Sequence, residues 1–169
     1  MDSNNIFKMD RIELYLKTAF CCMACDGEIA PAEMEKIKTL PHFKEINLQK
    51  MLSEYLLQLQ KEGNRFLKKY LDEVKSAVLT EEEECELASI AIQTIEVDKS
   101  IEYNEVAFFK KIRKRLKLTN EKLLTAIPEN PDVIDQISPE DYLLPDITDE
   151  DDLSLWTDTF SNISGSYSA

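Results

Sequence analysis

Two carboxylate pairs carry the chemistry this chain could do. Asp26 and Glu33 lie in the stretch Cys25-Asp26-Gly27-Glu28-Ile29-Ala30-Pro31-Ala32-Glu33. Asp98 and Glu105 lie in Val97-Asp98-Lys99-Ser100-Ile101-Glu102-Tyr103-Asn104-Glu105, which repeats the pattern Asp-x-x-Ile-x-x-x-Glu at a constant offset of 72 residues (26 to 98, 29 to 101, 33 to 105). The spacing puts each Asp just past the end of one helix. Each Glu falls in the first turn of the next, where the helix dipole favours negative charge. The Ile between them can pin the turn to the core. Two such turns facing each other would gather four carboxylates, and hard cations such as Ca²⁺, Mg²⁺ or Mn²⁺ take oxygen ligands. Glu28 and Glu102 are candidate additional ligands. If Asp26 only satisfies turn amides and Glu33 only sits on a helix N-terminus, the same residues are structural.

An EF-hand does not fit. With Asp26 at loop position 5 and Glu33 at position 12, position 1 is Cys22 and position 3 is Ala24; in the second copy position 1 is Thr94 and the glycine position is Lys99. The loop needs oxygens at positions 1, 3 and 5 and glycine at 6.

Asp-Gly-x-Ile-x-x-x-Glu after an Ala/Cys-rich helix, repeated later in degenerate form, resembles the TerB-like tellurite-resistance domain, which also occurs in a DnaJ-like co-chaperone. The resemblance covers residues 9–127. It implies an all-α fold of about seven helices built as a pseudo-two-fold repeat. It also implies an acidic divalent-metal site from Asp26, Glu33, Asp98 and Glu105, and a scaffolding role in stress response or defence rather than a defined reaction. The second copy departs from the pattern at Lys99, where the first has Gly27.

Stepping along the chain, the elements that must position these residues are helical. Ile12, Leu16, Phe20 and Met23 share a face over residues 9–25. Residues 31–40 follow, with Pro31 at the first position and Met34, Ile37 and Leu40 inward. Asn47 opens a third helix that Gly63 stops, and Asn64 opens a fourth running through Tyr70, Val74 and Val78. Thr80 with Glu83 forms a capping box for a fifth helix carrying Leu87, Ile90, Ala91 and Ile95. A sixth spans about 103–117, with Val106, Phe109, Ile112 and Leu116. Thr119 caps a short seventh with Leu123, Leu124 and Ile127. No segment has the period of a strand.

After Ile127 the texture changes, dividing the chain into a helical domain at 1–127 and an acidic, Pro-containing extension at 128–169. Residues 119–169 hold 12 acids and one base, a net of −11 out of −13 for the whole 169-residue chain. This acidity disfavours nucleic acid as a partner. The basic run from Lys110 to Lys117 reads as a solvated helix face. The segment 146–160 combines acids with Leu153, Leu155, Trp156 and Phe160. Such a segment either docks on its own domain, against Lys110, Lys111, Lys114 and Arg115, or serves as an arm for a protein partner.

No run is long enough to span a membrane, and the first residues have no basic-plus-apolar signal region, so a cytoplasmic location is expected. In that setting Cys21, Cys22, Cys25 and Cys85 are expected to be reduced. Cys22-Met23-Ala24-Cys25 sits at a helix end, and the single histidine, His42, leaves zinc short of ligands. The sequon at Asn162 has no use there. There is no phosphate loop, nucleophile elbow or organic-cofactor motif, so an enzyme is not expected. Two readings stand: a divalent-metal-binding helical scaffold, and a metal-free interaction adapter working through the acidic segment.

Overall fold

The computed structural model describes residues 3–25, 28–29, 31–97, 103–127, 142–143, 148, 152–156 and 164–165. Within them the chain is all-α. Seven helices follow in order: α1 (Ser3–Ala24), α2 (Pro31–Thr39), α3 (Leu48–Glu62), α4 (Asn64–Ser76), α5 (Glu81–Ile95), α6 (Tyr103–Arg115) and α7 (Asn120–Ala126).

Local chemistry sets most boundaries. Asn47 accepts from the Lys50 amide at 3.2 Å and Thr119 from the Lys122 amide at 3.2 Å. Thr80 and Glu83 form the reciprocal capping box, with bonds of 3.1 and 2.9 Å. Each such cap stabilises by about 1 kcal/mol. Gly63 ends α3 at φ +59°, a left-handed conformation that glycine adopts without a Cβ penalty, and its amide donates to the Leu59 carbonyl at 2.8 Å.

Four sequence expectations need correction. Helix α1 begins at Ser3, six residues before 9. Asn64 is no cap: α4 follows Gly63 without a side-chain cap, and the Asn64 amide group donates instead to the Leu153 carbonyl at 2.8 Å. Helix α4 ends at Ser76, so Val78 lies beyond it and is 89% exposed. Leu124 is partly exposed on α7, which has only Leu123 fully inward. The last two share a cause: a short helix offers one buried stripe, and residues past its end leave that stripe.

The core is arranged around α1, which touches α3, α4, α5 and α6. From Ala19 to Cys25 every residue is fully buried. A helix buried on all sides must be apolar all round, and small residues let neighbours approach closely. That accounts for Ala19, Cys21, Cys22, Ala24 and Cys25. Phe20 supplies the bulk, meeting the rings of Tyr55 and Phe66 edge-on at 5.7 Å each. The one polar residue in this part of α1, Thr18, is satisfied by the Leu14 carbonyl at 2.8 Å and the Tyr70 hydroxyl at 2.5 Å. On the outside, Arg11 binds Glu83 at 2.6 Å and ties α1 to the start of α5.

One piece of extended pairing joins the helices: Glu28–Ile29 (β1) runs parallel to Ser164–Gly165 (β2). Two residues cannot show a period of two, so sequence patterning had no means of finding it. The pairing brings the C-terminal end of the chain back to the first turn.

Candidate functional site

Helix α2 begins at Pro31 and α6 at Tyr103, again 72 residues apart. Equivalent positions face the same way. Met34 and Val106, Ile37 and Phe109, and Leu40 and Ile112 are all buried. With their apolar stripes turned into the core, both helices also turn their first-turn glutamates inward. Glu33 is 2% exposed and Glu105 is 1% exposed. A carboxylate this deeply covered is costly unless hydrogen-bonded, paired or coordinated.

The Cys22 thiol is pushed up first by burial, then by Cys21, Glu105 and Glu33. The Tyr142 hydroxyl, on the C-terminal extension, is pushed upward by Glu96, Glu105 and Cys22 after the larger effect of burial. Cys22, Glu33, Glu105, Glu96 and Tyr142 are each buried, and the Tyr142 hydroxyl donates to Glu96 at 3.0 Å. Asp26, Asp98 and Glu102 lie outside the described residues, and of Glu28 only the backbone is described. Among the described residues no group of three or more His, Cys, Asp or Glu side chains is placed to hold a metal ion. The two described members of the expected set, Glu33 and Glu105, carry hard oxygen donors suited to Ca²⁺, Mg²⁺ or Mn²⁺.

Glu96 and Tyr142 were not expected here. Glu96 is 6% exposed, and Tyr142 donates to it at 3.0 Å. Burial raises the Glu96 carboxyl above its ordinary value, while the Tyr142 hydrogen bond acts in the opposite direction. The sequence held one signal for Glu96. It stands 72 residues after Ala24, so the second copy puts a carboxyl where the first has a methyl group.

None of the four cysteines is in a disulfide, and Cys21, Cys22 and Cys25 are fully buried. Burial pushes the Cys21 and Cys22 thiols far above their usual range. The Cys25 thiol donates to the Cys21 carbonyl at 2.9 Å.

The basic face of α6 also needs correction. Lys111 is 2% exposed and Arg115 9%, so they are not solvated. The extension covers this side: Lys111 reaches the Thr148 hydroxyl at 3.0 Å and Lys114 the Thr148 carbonyl at 3.4 Å. Trp156 is buried against Phe108, with ring centroids 5.6 Å apart and planes at 81°. Phe160, the second expected anchor, lies outside the described residues.

Comparison with protein-family models, with curated proteins and with solved structures returned no match. The likeness to the TerB-like family thus rests on the two turn motifs. Among the described residues no helix is long and apolar enough to cross a membrane.

Proposed function

We propose that the chain is a divalent-cation-binding helical scaffold of TerB-like type, with the cation held between two halves related as a pseudo-repeat. One observation carries the reading: Glu33 and Glu105, 72 residues apart in the first turns of α2 and α6, are both almost fully buried. Carboxylates at matching helix starts offer the hard oxygen donors that such a cation takes. Glu33 and Glu105 would supply two ligands, and Asp26 and Asp98, on the adjoining turns, would complete the set. The cation would supply the compensating charge that clamps α2 to α6. No reaction is assigned to it; the role is binding and assembly, in keeping with the stress-response or defence setting that the motif resemblance suggests. Against the alternative of a metal-free adapter presenting its acidic arm stands Trp156, which is buried rather than offered to solvent.

Thermal melting in Ca²⁺, Mg²⁺ or Mn²⁺ against chelator tests this. A cation at 100 times its Kd stabilises by about 2.7 kcal/mol, a rise of about 5–10 °C for a domain of this size. Wild type should show the rise with at least one of the ions. Asp26→Asn should lose most of it. A wild type indifferent to all three, or a variant that keeps the full rise, contradicts the site.

A further inference from the structure

The C-terminal extension meets the helical domain at several separate points. Tyr142 is buried, with its hydroxyl on Glu96 at 3.0 Å and its ring edge-on to Phe109 at 5.5 Å. Thr148 accepts from Lys111 at 3.0 Å through its hydroxyl and from Lys114 at 3.4 Å through its carbonyl. Leu153 and Trp156 are buried too; the Leu153 carbonyl accepts from Asn64 at 2.8 Å, and the Trp156 ring packs edge-on to Phe108. Ser164–Gly165 then pairs with Glu28–Ile29. The extension therefore touches α4, α5, α6 and the stretch before α2, while its described residues hold no α-helix of their own.

The surface it covers is mixed. Phe108 and Phe109 are aromatic, but Glu96 and Lys111 are covered with them. Charged residues are seldom buried so fully in a core, and interfaces that never open resemble a core cut in half. Interfaces that form and dissolve are about as polar as ordinary surface, with aromatic residues as anchors. The contact here has that second composition. Two aromatic pairs, Tyr142–Phe109 and Trp156–Phe108, sit among hydrogen bonds to Glu96, Lys111, Lys114 and Asn64, and water can replace the extension at each of those four polar groups. The helices do not depend on it in the same way. Their caps at Asn47, Thr80 and Thr119 are local, and the centre of the domain, from Ala19 to Cys25, is closed by other helices. Regions held by few and largely polar contacts open at a lower free energy than the core.

We propose that the extension, held at Tyr142, Thr148, Leu153, Trp156 and Ser164–Gly165, is a reversible strap that leaves the domain as one unit while the seven helices stay folded. Release uncovers Phe108, Phe109, Glu96 and Lys111, and it frees the backbone of Glu28–Ile29 ahead of α2. Strap release requires no cation, so it stands or falls apart from the cation site.

The full-length chain has a single tryptophan, and it lies in the strap. In a urea titration, Trp156 emission should shift to the red, and its acrylamide quenching should rise several-fold, before far-UV circular dichroism shows any loss of helix. The helices should then unfold in a single later transition. At the intermediate urea concentration, hydrogen exchange read by mass spectrometry should speed up together in peptides containing Glu28–Ile29, Tyr142–Leu143 and Leu153–Trp156. Peptides from Ala19–Cys25 and Leu87–Ile95 should stay protected. Asn64→Ala removes the donor to Leu153 and puts a good helix former in α4. It should bring the tryptophan change to lower urea and leave the helix transition in place. Tryptophan exposure that coincides with helix loss in wild type overturns the proposal, as does faster exchange in one of the three strap-linked peptides without the others. So does an Asn64→Ala helix transition that moves as far as the tryptophan change. Should that variant not fold, the wild-type measurements decide.

Discussion

The two helix pairs, α1–α2 and α5–α6, share a spacing but not a chemistry. In the first pair the end of α1 and the residue after it are wholly apolar or thiol, from Ala19 to Cys25, and the Glu28–Ile29 stretch that follows is met by backbone from Ser164–Gly165. The second pair carries Thr94, fully buried and donating to the Ile90 carbonyl at 2.8 Å, and then Glu96, which takes the hydroxyl of Tyr142. The apolar copy asks only for close packing. The polar copy needs a donor, and the C-terminal extension provides it. A repeated motif can therefore keep its glutamates and its helix starts while its surroundings diverge, provided some other segment satisfies what the divergence buries.

The strongest challenge to this comparison addresses the positions the two halves share. Ile37 on α2 and Phe109 on α6 are equivalent and fully buried. Ile37→Ala should cost about 2–5 kcal/mol and Phe109→Ala about 3–5 kcal/mol in urea unfolding, each in a single transition. A loss at one position only, or two separate transitions, would mean that the halves do not share a core.

A smaller effect is expected where the copies differ. Tyr142→Phe removes the donor to Glu96 and should cost about 1–3 kcal/mol at neutral pH. The hydroxyl favours the ionised carboxyl, so the loss should shrink in acid, once Glu96 is protonated in both proteins. A loss that is constant with pH would assign it to ring packing against Phe109, whose centroid lies 5.5 Å away.

The smallest effects are also the most diagnostic, because two glutamates of α5 should respond to pH with opposite sign. At the start of the helix, the Thr80 backbone bond and then Arg11 hold Glu83 below its ordinary value near 4.5. Its contribution is present above that value and is lost as pH falls. At the end of the helix, burial holds Glu96 above its ordinary value. Ionising it costs more in the fold than in the unfolded chain, so its contribution is fullest in acid and is lost as pH rises. Glu83→Gln should therefore destabilise at pH 7 and approach wild type in acid. Glu96→Gln should gain on wild type as pH rises through and above the carboxylate range. Parallel pH profiles for the two variants would remove the distinction.

Much of this architecture was legible in the sequence because it is local. Caps at Asn47, Thr80 and Thr119, the stop at Gly63 and the start at Pro31 are each written in one or two residues. The placing of Glu33 and Glu105 in the first turns of α2 and α6 was legible too; their burial was not. What escaped depends on contacts far along the chain. Asn64 reads as a cap until Leu153 is beside it, 89 residues away. Lys111 and Arg115 read as solvent-facing because α6 has its apolar stripe elsewhere, but both are buried, and Lys111 meets Thr148, 37 residues on. Glu96 needed Tyr142, 46 residues on. Of the four carboxylates proposed as ligands, Asp26 and Asp98 fall outside the described residues, so what is observed is the burial of Glu33 and Glu105.

The central claim, one cation shared by the two turns, is tested most directly by anomalous scattering from crystals grown with Mn²⁺ and without chelator. The account predicts a single peak between the N-termini of α2 and α6, with carboxylate oxygens of both Glu33 and Glu105 at about 2.0–2.6 Å. No peak there, or a peak bound by one turn alone, would contradict it.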